Sequence, residues 1–533
     1  MQLTHNKQSI SCQTKRNREE LSSKVQSVLM MPPDTKDFPL GMAESFLPPF
    51  SGMDVEEEVR KLMSQSETYD ADILIIGSGP GGYVAAIRAA QLGARTVCIE
   101  KNPQEWGGVC LNWGCVPTKA MIASVERLHA AKQSARMGVL TGDVDFDFDK
   151  IMERKTKIVQ TLRGGVESLL KSNKVRKVVG VAKLTGPHSV EVTSESGEKE
   201  AITSRTIIVA TGSSPILPPI PGLEGEGVWT SNEAVSAKFV PKSMLIIGAG
   251  AVGLEFSYVY NGLGAKCTVV EIMPEILPIA DAEAASELRK SLKKLKIDFY
   301  VNSKVSGVQR KDGGYSVTVS TEKGDIQIEA EVILVGAGRR PNLDGIGLED
   351  VGVAVEKRGV IVDEKMQTNI PSIYAIGDVT GKMALAHVAS HQGIVAVENA
   401  MGLPAKMDYR AVPSPVFTEP EMAWVGMTEK DAMDAGYDVA LGKFPFRPLG
   451  KSMAIDQQDG MVKIVSERKY GEILGVHIVG PHASDLIHEA VMAIKLEATV
   501  EELMTMVHAH PTLAEAILEA SLDTMGRAIH KLK

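Results

Sequence analysis

The sequence has few cysteines, no long apolar run and no excess of positive charge. Five cysteines in 533 residues are too few for a secreted disulfide framework, so we expect a reducing compartment, where a cysteine pair would be catalytic. No apolar run approaches the ~20 residues of a transmembrane helix, so we expect no membrane. A net charge of −9 argues against nucleic acid and anionic membranes as partners. These absences leave an acidic globular protein that is too long for one ordinary domain.

Residues 1–68 differ in composition from the rest of the chain. They are polar and contain no strand-like hydrophobic run, so we predict a flexible N-terminal extension. Its early half is mildly basic, as a transit peptide would be, but Glu19 and Glu20 interrupt the basic character. The sequence therefore predicts a cytoplasmic protein, or one of the mitochondrial matrix or plastid if the extension is a transit peptide.

Residues 107–119, GGVCLNWGCVPTK, contain Cys110 and Cys115 with four residues between them. On a regular helix their Cα atoms would lie roughly 8–9 Å apart, which is beyond the ~7 Å that a disulfide tolerates. If the two cysteines pair, the backbone between them must bend. Pro117 suits the first turn of a following helix, and Lys119 would then lie one turn beyond Cys115, where its charge favours a thiolate. The stretch predicts a redox-active dithiol.

Two other interpretations of these cysteines compete with redox chemistry. Free cysteines are most often packed in a core, and cysteine pairs also bind metals when a second pair lies elsewhere in the chain. The remaining cysteines, Cys12, Cys98 and Cys267, form no such pair. We therefore predict no metal site and favour redox chemistry.

Two segments carry the glycine-rich fingerprint of a dinucleotide-binding βαβ unit. In each, an apolar strand leads into the glycines, a helix and a second strand follow, and an acid stands 23 residues after the first glycine. The glycines let the backbone approach a pyrophosphate, and the acid holds a ribose hydroxyl. Two dinucleotides should therefore bind. The residues concerned are Gly77, Gly79, Gly82 and Glu100 in the first copy and Gly248, Gly250, Gly253 and Glu271 in the second.

The cysteine stretch beside these two copies resembles the active site of the pyridine nucleotide-disulfide oxidoreductases, a family of flavoenzymes. The resemblance covers residues 70–533 and implies a redox-active Cys110–Cys115 disulfide, with FAD on the first βαβ copy and a nicotinamide cofactor on the second. It implies an α/β fold with two Rossmann-like dinucleotide-binding domains and a C-terminal α+β interface domain. The expected boundaries are 69–212 and 341–412 for the FAD-binding domain, 213–340 for the NAD-binding domain and 413–533 for the interface domain.

The resemblance also assigns further site residues. Glu255 matches the family's glutamate that pairs with Lys119; an exposed helix charge is the alternative interpretation. The strings TIIVATGSSP (206–215), EVILVGAGRRPN (331–342) and TNIPSIYAIGDVT (368–380) match linker and flavin signatures. We assign Lys119, Thr211, Gly212 and Asp378 to FAD, and Gly338 to NAD.

A His-Pro pair near the C-terminus matches the family's acid–base dyad. Pro511 suits the first position of a helix, which would place His510 at the helix entry and Glu515 inside the helix. We take His510 as the general base and Glu515 as the residue that orients it; the nearby His508 shows that not every histidine here can be the base. In this family the histidine reaches the disulfide of the other subunit, so we expect a homodimer.

The nicotinamide cofactor is predicted to be NAD. A carboxylate at Glu271 would bind a ribose 2′-hydroxyl and repel a 2′-phosphate, and residues 272–275 contain no arginine to bind that phosphate.

The substrate is predicted from the motifs that separate members of the family. The NAD signature and the strings HAHPTLAEA and GRAIH resemble the members that reoxidise protein-bound dihydrolipoamide, while Trp113, Thr118 and Val109 depart from their usual residues. Partners would be the lipoyl-bearing carrier domain of a 2-oxo acid dehydrogenase complex or of a glycine-cleavage system. The alternatives are another NAD(P)H-dependent disulfide or mercuric reductase, a mainly structural subunit, and a diaphorase-like electron carrier. The mercuric reductases carry extra C-terminal cysteines that this chain lacks.

Overall fold

The computed structural model describes residues 68–532. The predicted N-terminal extension therefore lies, except for its last residue, outside the described residues, and so does Cys12. Among the described helices, none is long and apolar enough to cross a membrane.

The first part of the chain builds most of a seven-stranded sheet around a buried central strand. That central strand is β1 (Ala71–Ile76). All of its residues are buried, as expected for a parallel strand covered on both faces. The elements are β1 (Ala71–Ile76), α1 (Pro80–Gln91), β2 (Thr96–Glu100), α2 (Gly108–Asn112), α3 (Cys115–Gln133), α4 (Phe148–Ser172), β3 (Arg176–Val179), β4 (Val181–Gly186), β5 (Ser189–Thr193) and β6 (Lys199–Val209). The strand order is β3-β2-β1-β6-β5-β4, and Ile73 of β1 lies opposite Thr96 of β2 and Thr206 of β6 in parallel register.

The second part builds a separate parallel sheet. Its elements are β7 (Ser213–Pro215), β8 (Val228–Trp229), α5 (Ser231–Ala234), β9 (Ser243–Ile247), α6 (Ala251–Gly262), β10 (Lys266–Val270), α7 (Ala282–Lys294), β11 (Asp298–Tyr300), β12 (Lys304–Lys311), β13 (Gly314–Thr321), β14 (Gly324–Ala330), β15 (Val332–Val335) and β16 (Arg339–Pro341). The order of the sheet is β11-β10-β9-β15-β8, and β12, β13 and β14 form an antiparallel sheet beside it. β7 and β16 pair with each other, so the entry to this part and the exit from it lie side by side.

The chain then returns to the first sheet. It forms β17 (Val355–Glu356), β18 (Gly359–Val360), β19 (Ile373–Ala375), a 3-10 helix (Gly377–Thr380) and α8 (Ala386–Ala400). β19 pairs in parallel with β6, Tyr374 lying opposite Ile208, and α8 packs against α1. The second sheet is therefore an insertion into the first α/β unit.

The C-terminal part is an antiparallel sheet with helices. Its elements are β20 (Ser414–Val416), β21 (Glu421–Gly426), α9 (Glu429–Asp434), β22 (Val439–Pro445), α10 (Gly450–Ala454), β23 (Met461–Glu467), β24 (Ile473–Gly480), α11 (Ala483–Lys495), α12 (Val500–Thr505) and α13 (Glu515–Asp523). The strand order is β20-β21-β24-β23-β22, and every residue of β24 is buried. The predicted α/β fold class with a C-terminal α+β part is confirmed; the exact domain boundaries stay predictions.

Candidate active site

The two cysteines lie on consecutive helices: Cys110 on the short helix α2 and Cys115 at the start of the long helix α3. α2 ends at Asn112 and α3 begins at Cys115, so the predicted bend falls at Trp113 and Gly114. The Asn112 side chain donates to the carbonyl oxygens of Trp106 at 3.2 Å and of Gly108 at 2.9 Å, which anchors α2. The bend places Cys115 at the positive N-terminal end of α3.

Cys110 and Cys115 are both free thiols in this structure. The Cys110 thiol donates a hydrogen bond to Cys115, which raises the pKa of Cys110 and lowers the pKa of Cys115 to about 7. The atoms packed around Cys115 raise its pKa although the residue is exposed, the charge of Lys119 lowers the pKa, and Glu255 raises it. The balance favours a thiolate on Cys115 and a protonated thiol on Cys110 near neutral pH.

Lys119 and Glu255 form the predicted pair. The Lys119 Nζ lies 2.8 and 2.7 Å from the two carboxylate oxygens of Glu255, because α3 packs against α6, which carries Glu255. The Glu255 residue is only 6% exposed, which excludes the alternative of a solvated helix charge. The backbone N–H of Phe417 donates to Glu255 at 3.1 Å, and the Phe417 ring centroid lies 4.3 Å from Lys119 Nζ. Phe417 was missed in the sequence, since no motif links it to Glu255, which lies 162 residues earlier in the chain, or to Lys119, which lies earlier still.

The glycines of the two βαβ copies leave room for a bound nucleotide. A Cβ on Gly82 or Gly253 would lie 1.8 or 2.0 Å from the carbonyl oxygen of the first glycine of its copy, so these positions need glycine for packing. The second glycine is different: a Cβ on Gly79 or Gly250 would have no neighbour within 4 Å among the described residues. Open space at the N-termini of α1 and α6 fits a pyrophosphate.

The acid of each copy is held in place by the glycine loop. Glu100 accepts from the backbone N–H and the hydroxyl of Ser78, at 3.1 and 2.6 Å. Glu271 accepts from the backbone N–H of Ala249 at 2.7 Å and from that of Met273 at 2.9 Å. Both acids are buried at the ends of their strands, which is where a ribose would lie beside the pyrophosphate.

The arginine nearest in sequence to the loop after Glu271 is already paired. Arg289 on α7 contacts both carboxylate oxygens of Glu275, at 2.6 and 2.7 Å. Its guanidinium is thereby engaged within the chain, which agrees with the prediction of NAD rather than NADP.

Asp378 belongs to a hydrogen-bonded cluster with Ser213 and Arg339, of which only Asp378 was predicted from the sequence. It accepts from the hydroxyl of Ser213, which in turn accepts from Arg339 Nε at 2.7 Å. Burial lowers the pKa of Arg339, while the charges of Asp378 and Cys115 raise it, so the guanidinium lies within electrostatic reach of both. Arg339 was missed although it stands in the string GRRP, whose glycine was chosen.

Thr211 and Gly212 lie where the chain leaves the first sheet. Thr211 donates from its hydroxyl to the carbonyl oxygen of Asn342 at 3.0 Å, and the Asn342 amide donates back to the Thr211 carbonyl at 2.9 Å. Gly212 and Gly338 have φ angles of 69° and 111°. The two linkers are therefore joined to each other beside Asp378.

His510 and Glu515 form a hydrogen-bonded pair. The Nδ1 atom of His510 lies 2.8 Å from Glu515 Oε1, and the His510 side chain is 77% exposed, which leaves Nε2 accessible. The predicted helix position of Pro511 was wrong, since α13 begins at Glu515 rather than at Pro511. Side-chain bonds hold residues 511–514 in turns instead: the Thr512 N–H donates to Glu515 Oε2 at 2.8 Å and its hydroxyl to the Ala509 carbonyl at 2.7 Å.

His508 differs from His510 in burial and in partner. Its side chain is 3% exposed, and its Nε2 atom lies 3.0 Å from Glu489 Oε1. The His508 imidazole is therefore buried against Glu489, in contrast to the exposed imidazole of His510. The structure thus brings Cys110, Cys115, Lys119 and Glu255 together, while within residues 68–532 no hydrogen bond links His510 to either cysteine.

The chain matches two family models. Residues 71–393 match the pyridine nucleotide-disulphide oxidoreductase family, and residues 412–521 match its dimerisation domain.

Named relatives and a solved structure agree with these matches. The mitochondrial dihydrolipoyl dehydrogenase of Pisum sativum is 42% identical over 86% of this chain and 92% of its own length. The dihydrolipoyl dehydrogenase of Thermus scotoductus is 43% identical over 87% of this chain and 99% of its own length. The crystal structure of LpdA from Mycobacterium tuberculosis, 29% identical, superposes with a TM-score of 0.78 over 84% of this chain and 99% of that one. The chain therefore belongs to the pyridine nucleotide-disulphide oxidoreductases, in the group of the dihydrolipoyl dehydrogenases, and is an FAD- and NAD-dependent oxidoreductase with a dimerisation domain.

Proposed function

We propose that this protein oxidises dihydrolipoamide carried on a protein, with NAD as the final acceptor, through Cys110 and Cys115. The observation that carries the proposal is the arrangement of the site: Cys115 begins α3, Cys110 lies on the preceding helix α2, and Lys119, one turn beyond Cys115, is paired with Glu255. A packing or metal-binding role needs no such arrangement. The choice of dihydrolipoamide as the substrate rests on the names of the relatives given above.

The residues of the site fit the two cofactors. The loop at Gly79 with Glu100, together with Asp378 and Lys119, would hold FAD, and the loop at Gly250 with Glu271 would hold NAD. When bound, FAD takes up the two electrons that the dithiol delivers, and NAD accepts them as hydride.

The chain's own residues carry out the thiol exchange. A substrate thiolate attacks Cys110 Sγ, the Cys110–Cys115 bond breaks, and Cys115 leaves as a thiolate. The N-terminal end of α3 and the charge of Lys119 stabilise the departing thiolate, which makes Cys115 the better leaving group. The second substrate sulfur then displaces Cys110, which closes the lipoamide disulfide and leaves Cys110 as the protonated thiol. Of the two substrate protons, Cys110 keeps one and His510 accepts the other.

His510 would act on the disulfide of the partner subunit in a homodimer. Supporting this role, its Nε2 atom faces outward from its own chain and Glu515 holds its Nδ1 atom, which fixes the tautomer that can accept a proton. The positive charge that forms on the ring lies beside the Glu515 carboxylate, which stabilises it.

The partner protein is proposed to be the lipoyl-bearing carrier domain of a 2-oxo acid dehydrogenase complex or of a glycine-cleavage system. A reducing compartment, cytoplasmic or within an organelle, is part of the proposal, because the cysteine pair must cycle through its dithiol form.

Steady-state assays of the purified protein test this function. We expect rapid NAD reduction with dihydrolipoamide and faster reduction with a dihydrolipoylated carrier domain. Glutathione disulfide, thioredoxin and mercuric ion should be poor substrates with NADH or NADPH. Preferential reduction of one of these three, with no turnover of dihydrolipoamide, would contradict the proposal.

A further inference from the structure

Three parts of the fold meet at the ion pair beside the cysteines. Lys119 comes from α3, which follows the first βαβ copy, Glu255 from α6 of the second copy, and Phe417 from the segment just after β20. Within the pair, Glu255 contacts the ammonium end of the long Lys119 side chain. Phe417 makes contact with both members of the pair.

The position of Phe417 is fixed by its neighbours. Two residues on, Glu419 accepts from the hydroxyl of Tyr258 on α6 at 2.9 Å, and His129 on α3 lies 3.4 Å from the same oxygen. The segment is therefore tied to both helices that carry the ion pair. Thr418 between them is buried. A ring held in this way stays over the ammonium group.

We propose that Phe417 is a positioning residue for the Cys115 thiolate: its ring and its backbone N–H hold the Lys119–Glu255 pair so that the lysine charge stays beside Cys115. The face of an aromatic ring attracts an ammonium group and displaces water from it. With less water around it, the charge of Lys119 is less screened. This inference rests on the proposed role of Cys115 as a thiolate.

Several groups act on the Cys115 sulfur. Cys110 donates to it from α2, and the charges of Lys119 on α3, Glu255 on α6 and Arg339 on β16 lie within electrostatic reach of it. Tyr83 on α1 lies within electrostatic reach of Cys110. Phe417 carries no charge, and its N–H and its ring contact Glu255 and Lys119, so we expect its effect on the sulfur to pass through these two residues.

The test measures the titration of Cys115 directly. Holoenzyme carrying Cys110→Ser is alkylated with iodoacetamide across a pH series, and mass spectrometry of the peptide that contains Cys115 gives the midpoint. We expect Phe417→Leu to raise this midpoint by about 0.5–1 pH unit, which is a roughly three- to tenfold slower reaction below the midpoint. Phe417→Tyr should retain the original midpoint, because it keeps the ring.

A double-mutant comparison shows whether Phe417 acts through Lys119. Lys119→Met should raise the midpoint further than Phe417→Leu, and adding Phe417→Leu to Lys119→Met should change it by less than 0.2 unit, roughly the error of such cycles. An equal shift in both backgrounds would overturn the inference. So would an unchanged midpoint in a folded Phe417→Leu protein.

Two further variants protect the test against a folding defect. Phe417→Met keeps apolar volume without a ring, so it should shift the midpoint even if the leucine variant is unstable. Phe446→Leu removes a fully buried ring elsewhere in the C-terminal part and should lower the Tm without moving the midpoint. An equal shift with Phe446→Leu would show a general packing effect and overturn the inference. The proposed function fails separately, in the assay of the unaltered protein with dihydrolipoamide.

Discussion

The two βαβ copies are built alike but differ in what surrounds their loops. In both, the third glycine packs on the first and the acid accepts a backbone N–H from the loop. In the first copy the hydroxyl of Ser78 adds a second bond to Glu100, whereas the equivalent Ala249 has no side-chain donor. The first loop is also closed on one side, since a Cβ on Gly108 of α2 would lie 2.4 Å from the Cα of Gly79.

This difference shows how one nucleotide-binding device serves two purposes. The first loop is in contact with the helix that carries Cys110, so whatever binds there lies next to the thiols. The second loop is followed by α6, which carries Glu255. Glu255 contacts Lys119, and Lys119 in turn lies on the helix that begins at Cys115. A close contact suits a resident cofactor and an indirect contact suits an exchangeable one.

The largest expected effect comes from removing either of the two cysteines that lie beside the first copy. Cys110→Ser or Cys115→Ser should lower dihydrolipoamide-dependent NAD reduction by about 10⁴-fold or more, because each residue is an obligatory member of one unit. Oxidation of NADH by an artificial electron acceptor should persist, as it needs no thiol. Cys267→Ala, which alters a buried thiol, is the matched control and should keep both activities. Dithiol activity within tenfold of the unaltered protein in either serine variant would contradict the assignment of Cys110 and Cys115 as the redox-active pair.

The next effect separates the dithiol side from the nucleotide side. His510→Gln should lower the dithiol reaction by roughly 10²–10⁴-fold, the range for a lost general base, and leave NADH oxidation by the artificial acceptor intact. His508→Gln should be far milder in both assays, because its imidazole is buried against Glu489.

Mixing subunits tests whether His510 acts across the dimer. Cys110→Ser and His510→Gln chains are each inactive toward dithiol, but a heterodimer would contain one intact site. Activity should return toward half of the unaltered value per heterodimer. If activity does not recover after proven subunit exchange, His510 either acts on the thiols of its own chain or is not the general base.

A smaller effect is expected from the acid of the second copy. Glu271→Ala combined with Ile272→Arg should shift the preference from NAD toward NADP by some tens- to hundreds-fold, because a repulsive charge is lost and a charge-assisted bond is gained, together roughly 2–4 kcal/mol. Glu271→Gln alone keeps the size and the hydrogen-bond acceptor and should shift the ratio less. Comparison of kcat/KM for both cofactors measures the shift. An unaltered protein that already prefers NADP would contradict this reading of Glu271.

The smallest effects separate the two kinds of glycine. Gly250→Ala should raise the KM for NAD about fivefold, as expected for one weakened contact of ~1 kcal/mol, with no change in Tm. Gly253→Ala should lower the Tm by several degrees, because its Cβ would meet the Gly248 carbonyl oxygen and overpacking costs about 1–3 kcal/mol. Thermal melts and NAD saturation curves distinguish them, and an equal loss of Tm in both would show that both glycines serve packing only.

The sequence predicted the features that depend on local pattern. Both βαβ copies and the bend between the cysteines follow from glycine spacing and helix geometry, whereas the insertion of the second sheet and the Lys119–Glu255 pair followed from resemblance. Phe417 and Arg339 were missed because they reach the site from distant segments. The start of α13 was predicted wrongly because the preference of proline for a first helical turn was overridden by the bonds of Thr512.

The late return of β19 to the first sheet has a consequence for synthesis. β6 is complete at Val209, but its parallel neighbour β19 begins only at Ile373. At about 5–20 residues per second, a ribosome needs roughly ten to thirty seconds to make the intervening segment. During that interval the edge of β6 at residues 207–209, which β5 does not cover, is exposed while the second sheet folds, and such edges are prone to wrong pairing. We therefore expect that an arrest of translation between the two strands leaves a nascent chain that chaperones bind.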